Sequence, residues 1–203
     1  MTEENFRFTM TPITQLNGSS PHSRQVRDRC EGLGEALSSE HSKAQTLKII
    51  DWIGTDPERL ETLITIFLGD DYRLMQRSAW VVGHFAEKYP TLILPYLEQM
   101  LLKTQAVGVH DAVKRNVIRL LQSIEIPEQL LGMVATICFD FLESPKEAVA
   151  IKAFSIKILA KIATQETDLQ HELCLLIEDQ IEHQSAGFRS VGGKILKKFK
   201  QKQ

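Results

Sequence analysis

A chain of 203 residues that is 43% hydrophobic can bury a sizeable core, in one domain or in one quasi-linear array. A quarter of the residues (25%) are charged, yet the formal net charge is only −2, so overall charge selects no class of polyion as partner. No apolar run approaches the ~18 residues of a membrane span, and the polar, acidic start lacks the basic and apolar regions of a secretion signal. Cys30, Cys138 and Cys174 are odd in number and far apart, which fits free, partly buried thiols in a cytoplasmic protein.

Residues 1–22 hold Asn17-Gly18, Ser19-Ser20 and Pro21 without sustained periodicity and read as a flexible leader. Residues 23–203 then form one helical domain. Val26, Cys30, Leu33 and Leu37 fall on one helix face, although Gly32 and Gly34 each weaken that helix by about 1 kcal/mol relative to Ala. Leu47, Ile50 and Ile53 make the next stripe, and Leu60, Leu63, Ile64, Phe67 and Leu68 another. Breaks at Gly54 to Pro57, Gly69 to Asp71, Tyr89-Pro90, Ala106 to Gly108, Ile126-Pro127, Ser144-Pro145, Gln165 to Asp168 and Ser185 to Gly187 separate amphipathic stretches. Pro90 and Pro127 are each suited to opening a helix, where the missing amide hydrogen would have no helical partner. No stretch alternates with period two, so the expected class is all-α.

The helices repeat. A basic residue stands at 43, 77, 115, 152 and 189, spaced by 34, 38, 37 and 37. Two positions after the last four come Ala79, Val117, Phe154 and Val191, and six positions after them Gly83, Leu121, Ile158 and Ile195. Shared registers of this kind are the mark of a tandem array whose units bury their apolar stripes against neighbours.

With a proline opening the first helix of a pair, an acidic residue opening the second and a basic residue inside it, the chain resembles the HEAT/armadillo-type repeat family over about residues 26–200. Asp71 and Arg77 stand six apart as in the family pattern. Asp111 with Arg115 and Glu147 with Lys152 are shifted by one or two, and Ser185 replaces the acid in the last unit. It is most similar to compact bacterial HEAT-like proteins without an assigned activity. The resemblance implies a right-handed α-α superhelix (solenoid) of about five antiparallel helix pairs, with the second helices lining a concave face.

Charge divides along the pairs. The first-helix windows 57–69, 90–104, 127–143 and 166–183 hold 2 basic and 12 acidic residues. The second-helix windows 41–54, 70–88, 108–124, 145–164 and 185–200 hold 17 basic and 6 acidic. If the second helices line the inner face, that face is positive and attracts acidic partners. Arg73, Arg77, Arg115, Arg119, Lys152 and Arg189 are its candidate contacts. The register arginines Arg77 and Arg115 have a competing role, a structural ladder to acidic side chains. Arg73 and Arg119 each lie four residues from one of them, on the same side of their helices.

Catalytic signals are set aside. Gly187 to Lys194 lacks the strand and the spacing of a phosphate-binding loop. Gly18-Ser-Ser-Pro-His22 resembles the mobile loop of the fumarase/adenylosuccinate lyase family, but the methionine, lysine and asparagine that follow there are missing. His171 and Cys174 are two ligands at most, too few for a metal. His84 is expected in the core, and Trp52 and Trp80 on or beside apolar faces. No catalytic residue, cofactor, metal or small-molecule substrate is expected. The expected function is a non-enzymatic scaffold for a protein or acidic peptide segment. The alternative is nucleic-acid binding, in architecture like the HEAT-like alkylbase DNA glycosylases, for which Trp80 and Asp111 are the candidate pocket residues.

Overall fold

Side-chain capping starts five of the ten described helices. Ser42 accepts from the Gln45 amide at 3.1 Å, Asp56 from Glu58 and Arg59 at 2.9 and 3.2 Å, and Asp71 from Leu74 at 2.8 Å. Each such bond satisfies an amide that the first helical turn leaves open and contributes about 1 kcal/mol. The resulting computed structural model describes residues 21–164 and 166–201, and among them there are ten α-helices and no strand. They are α1 (Pro21–Ser39), α2 (Lys43–Ile53), α3 (Pro57–Leu68), α4 (Tyr72–Lys88), α5 (Leu97–Thr104), α6 (Asp111–Leu120), α7 (Glu128–Glu143), α8 (Val149–Ile162), α9 (Thr167–Ile181) and α10 (Ala186–Lys200). In chain order they make five first-and-second pairs of an all-α, α-α repeat fold.

Two compact units divide at residues 99 and 100. In the first, α1 packs on α3 and α2 on α4, first helix beside first and second beside second. Leu33, Leu37, Ile50, Ile53, Leu63, Ile64, Phe67, Val82 and Phe85 are buried there. In the second, α8 lies between α6 and α10, and α7 and α9 pack behind. Its core holds Val113, Val117, Val134, Leu142, Ile151, Ile156, Leu173, Ile177 and Phe188. Each fully buried side chain of this size is worth about 1.5–3 kcal/mol.

Three expectations shift. Leu47 is 45% exposed, and the inner stripe of α2 is Thr46, Ile49, Ile50 and Ile53. Thr46 tolerates burial because its hydroxyl donates to the Ser42 carbonyl at 2.9 Å. Pro90 opens turns rather than a helix. A short 3-10 segment, Leu94–Tyr96, contains Pro95, and α5 begins only after it because a proline inside a helix removes an amide and clashes with the preceding turn. Helix α1 begins at Pro21, and residues 1–20 of the expected leader, with Gly18 to Ser20 of the lyase-like stretch, lie outside the described residues, as does Gln165.

Candidate partner-binding surface

The cations proposed from sequence do not share one position. The N-caps of α4, α6, α8 and α10 are Asp71, His110, Ala148 and Ser185. Arg77 is the sixth residue after its cap, Arg115 the fifth, Lys152 and Arg189 the fourth. At 3.6 residues per turn each step rotates a side chain by about 100°, so Arg77 and Lys152 lie about 200° apart around their helices.

Their contacts follow from that rotation. In the first unit, Arg77 is half-buried and its Nη1 donates to the Leu37 carbonyl at 2.6 Å. That carbonyl lies in the last turn of α1, where no helical amide remains to bond it. Arg77 is therefore bound to backbone, and among the described residues no carboxylate pairs with it. Arg73 is exposed at a cleft of about 670 Å³ that is lined by Arg27, Glu31, Glu35 and Asp71 as well, a site of mixed sign.

In the second unit, Lys152 is only 2% exposed and its Nζ donates to Gln180 Oε1 at 2.8 Å. Burial pushes the Lys152 ammonium below its ordinary pKa of 10.5, and the nearby Glu147 carboxylate opposes that shift. Lys152 thus belongs to the packed interior. Arg189 is exposed and donates to the Gln184 carbonyl at 2.7 Å. Arg115 is exposed, whereas Arg119 is half-buried, with the Nε and Nη2 of its guanidinium shielded from solvent.

Lys114 is a residue the sequence reading missed. It is the fourth after its cap, like Lys152 and Arg189, and its Nζ pairs with Glu147 at 2.9 Å, 5.4 Å from the Phe141 ring centroid. Glu147 is therefore tied to the preceding second helix and not to Lys152 as its own helix opener. Asp111 is the first residue of α6 and exposed; His110 is the cap, its Nδ1 accepting from the Ala112 amide at 2.8 Å.

Counting from the caps reveals a different alignment. The fifth, ninth and thirteenth residues lie on one helix stripe, four apart. On α6 and just beyond it they are Arg115, Arg119 and Ser123; on α8 Ala153, Lys157 and Lys161; on α10 Ser190, Lys194 and Lys198. All nine are exposed or half-exposed, on helices that pack side by side. Six are cationic and none acidic. Lys161 spends one donor on the Ile124 carbonyl at 3.1 Å. Among the described residues no carboxylate pairs with Lys157, Lys194 or Lys198. The available signal was the absence of acids: α8 and α10 hold eight basic residues and no acid, α7 and α9 seven acids and no Lys or Arg.

The remaining candidates are structural or isolated. Gly187 to Lys194 is helix interior, and the Cβ that Gly192 lacks would stand 2.8 Å from Ile177 Cγ2. His84 is half-exposed rather than in the core, with Nδ1 2.9 Å from Glu87 Oε2. Trp80 packs its ring against His41 and His84 with centroids at 4.9 and 5.5 Å. Trp52 is 41% exposed, with the Arg59 guanidinium over its ring at 4.8 Å. All three cysteines are free; burial pushes the Cys138 thiol up to about 12. Among the described residues no group of three or more His, Cys, Asp or Glu is placed to hold a metal ion. No described helix is long and apolar enough to cross a membrane.

Consecutive helix pairs, with second helix stacked on second helix inside each unit, define an α-α repeat protein. The chain matches the HEAT repeat domain family over residues 33–199 and belongs to it. No curated protein and no solved structure matches it.

Proposed function

We propose that this protein is a non-enzymatic, cytoplasmic scaffold that holds an acidic protein segment on the exposed face of its second helices. The family supports the general role, since HEAT repeats commonly mediate protein interactions. The single observation that carries the basic face is the cationic stripe of α6, α8 and α10, with acid-only first helices α7 and α9 in the same unit. Such a polarised surface raises the encounter rate with acidic partners at low salt and rejects basic ones. Of the six cations named from sequence, Arg115 and Arg119 belong to this stripe, Arg73 and Arg189 are exposed away from it, and Arg77 and Lys152 serve the fold.

The test is a set of titrations with a labelled glutamate-rich peptide, a lysine-rich peptide and duplex DNA at rising salt. The scaffold reading expects the acidic peptide to bind, the basic one not to, and the affinity to fall with salt. Tighter binding of DNA, with the steep salt slope of counterion release, would move the function to nucleic acid. Failure of all polyanions at low salt would end the basic-face reading.

A further inference from the structure

The first helix pair carries an apolar cleft that its neighbours leave open. Gly32, Leu33 and Ala36 of α1 line it with Lys48, Ile49 and Trp52 of α2, around a space of about 400 Å³. Helix α3 packs on α1 and α4 on α2, yet no residue of α3 or α4 lines the cleft. In a tandem array each pair is covered by the next, and among the described residues the first pair has no predecessor. Leu33 and Ile49 make the floor, at 4% and 5% exposure. Trp52 stands at the rim, 41% exposed, with the Arg59 guanidinium over its ring. An indole buries up to about 250 Å² when covered, so a tryptophan left open beside an apolar floor marks a docking surface.

Gly32 is a second, independent sign. It costs α1 about 1 kcal/mol relative to Ala, and a Cβ built there would meet nothing within 4 Å. Packing among the described residues therefore does not require glycine at this position. With Ala36 one turn on, Gly32 leaves a shallow strip along α1 where another backbone fits.

The chain itself supplies an occupant of the right length and chemistry. Residues 1–20 precede α1 and include Phe6, Phe8, Met10, Ile13 and Leu16. Gly32 and Ala36 lie about 16 and 22 Å along the helix from Pro21, at about 1.5 Å per residue. An extended chain covers about 3.3 Å per residue, so about five to seven residues span that distance. A chain turning back at Asn17-Gly18, a dipeptide suited to a tight turn, brings Phe8 and Met10 level with the cleft. Both side chains fall on one side of an extended backbone, and Pro12 favours extended backbone at Thr11. The thioether of Met10 suits contact with the Trp52 ring. Charge agrees as well. Lys48 is the charged residue of the cleft, and among the described residues no carboxylate pairs with it. Glu3 and Glu4 lie just beyond Phe6.

We propose that the segment around Phe8 and Met10 folds back along α1 and docks in this cleft of its own chain, covering the open side of the first pair. A tether this short holds the segment at an effective concentration of about a millimolar, so contacts too weak to retain a free peptide suffice.

Hydrogen exchange of the full-length protein tests this in wild type, Gly32→Glu and the double variant Phe8→Asp with Met10→Asp. Gly32→Glu puts a charged side chain into the cleft at a position where nothing in α1 or its neighbours is displaced, and circular dichroism confirms its fold. The double variant leaves the described helices untouched. The expected result is that amides of residues 6–13 exchange about ten-fold more slowly in wild type than in either variant, at low and high protein concentration alike. Exchange of these amides at the rate of an unstructured peptide would overturn the proposal. Slowed exchange that survives Gly32→Glu would place the segment elsewhere and overturn the cleft assignment. Slowing that grows with protein concentration, with a dimer in sedimentation, would seat the segment on a second copy and overturn docking within one chain.

Discussion

The same helix stripe carries different chemistry in the two units. Counted from the caps of α2 and α4, the fifth, ninth and thirteenth positions in the first unit include Leu47, Asp51, Gln76, Trp80 and His84. In the second unit they hold Arg115, Arg119, Lys157, Lys161, Lys194 and Lys198. Two first-unit cations are committed to contacts: Arg77 to the end of α1, and Lys88 to Asp51 at 2.7 Å. The repeat therefore conserves backbone positions and buried side chains while leaving the outer stripe to vary. Counts of charge over whole helices do not reveal which unit offers it.

The largest effect should come from the frame the two units share. Phe85→Ala in the first unit and Phe188→Ala in the second each remove a fully buried ring, and each should cost about 3–5 kcal/mol in urea unfolding. A cost below 1 kcal/mol at either site would show that the two cores are not alike. Next, Arg77→Leu should cost about 1.5–3 kcal/mol by leaving the Leu37 carbonyl without its charged donor. Arg115→Leu, on the exposed stripe, should stay within about 0.5 kcal/mol. Equal effects would erase the distinction between a structural and a surface arginine.

Neighbouring glycines of α10 give a finer contrast. Gly192→Ala drives a methyl into Ile177, a buried branched side chain, and should cost about 1–3 kcal/mol. Gly193→Ala adds a methyl in open space and should raise stability by up to about 1 kcal/mol through helix propensity. Thermal melts of both variants check the opposite signs.

The smallest effect concerns pH. Burial lowers the Lys152 pKa in the folded state, so between that value and 10.5 the unfolded chain binds more protons than the native one. The cost of the buried ammonium is fully present below the folded pKa and is relieved as pH rises toward 10.5. Wild type should gain stability relative to Lys152→Met between pH 7 and pH 10 in paired urea melts. A loss over that interval would mean that the ammonium is better solvated than its 2% exposure implies.

Helix pairing was legible in the sequence because caps and prolines act locally. Asp56 before Pro57 starts α3, and α7 stops at Glu143 ahead of Ser144-Pro145. Burial was less so: apolar counting placed Leu47 inside, whereas Thr46, satisfied by a carbonyl, takes that place. The cationic register was misread for a geometric reason. The caps lie 39 residues apart from Asp71 to His110, then 38 and 37, while the basic residues at 77, 115, 152 and 189 are spaced 38, 37 and 37. That drift of two residues turns the side chains by about 200°. Loop lengths fix it, and loops carry no periodicity from which to read it.

Hydrogen exchange on the full-length protein, with and without the glutamate-rich peptide, addresses the central assignment most directly. The account predicts slowed exchange confined to α6, α8 and α10, strongest around Lys157 and Lys194. Slowing on the acidic helices α7 and α9, or on α2 and α4 alone, would contradict it.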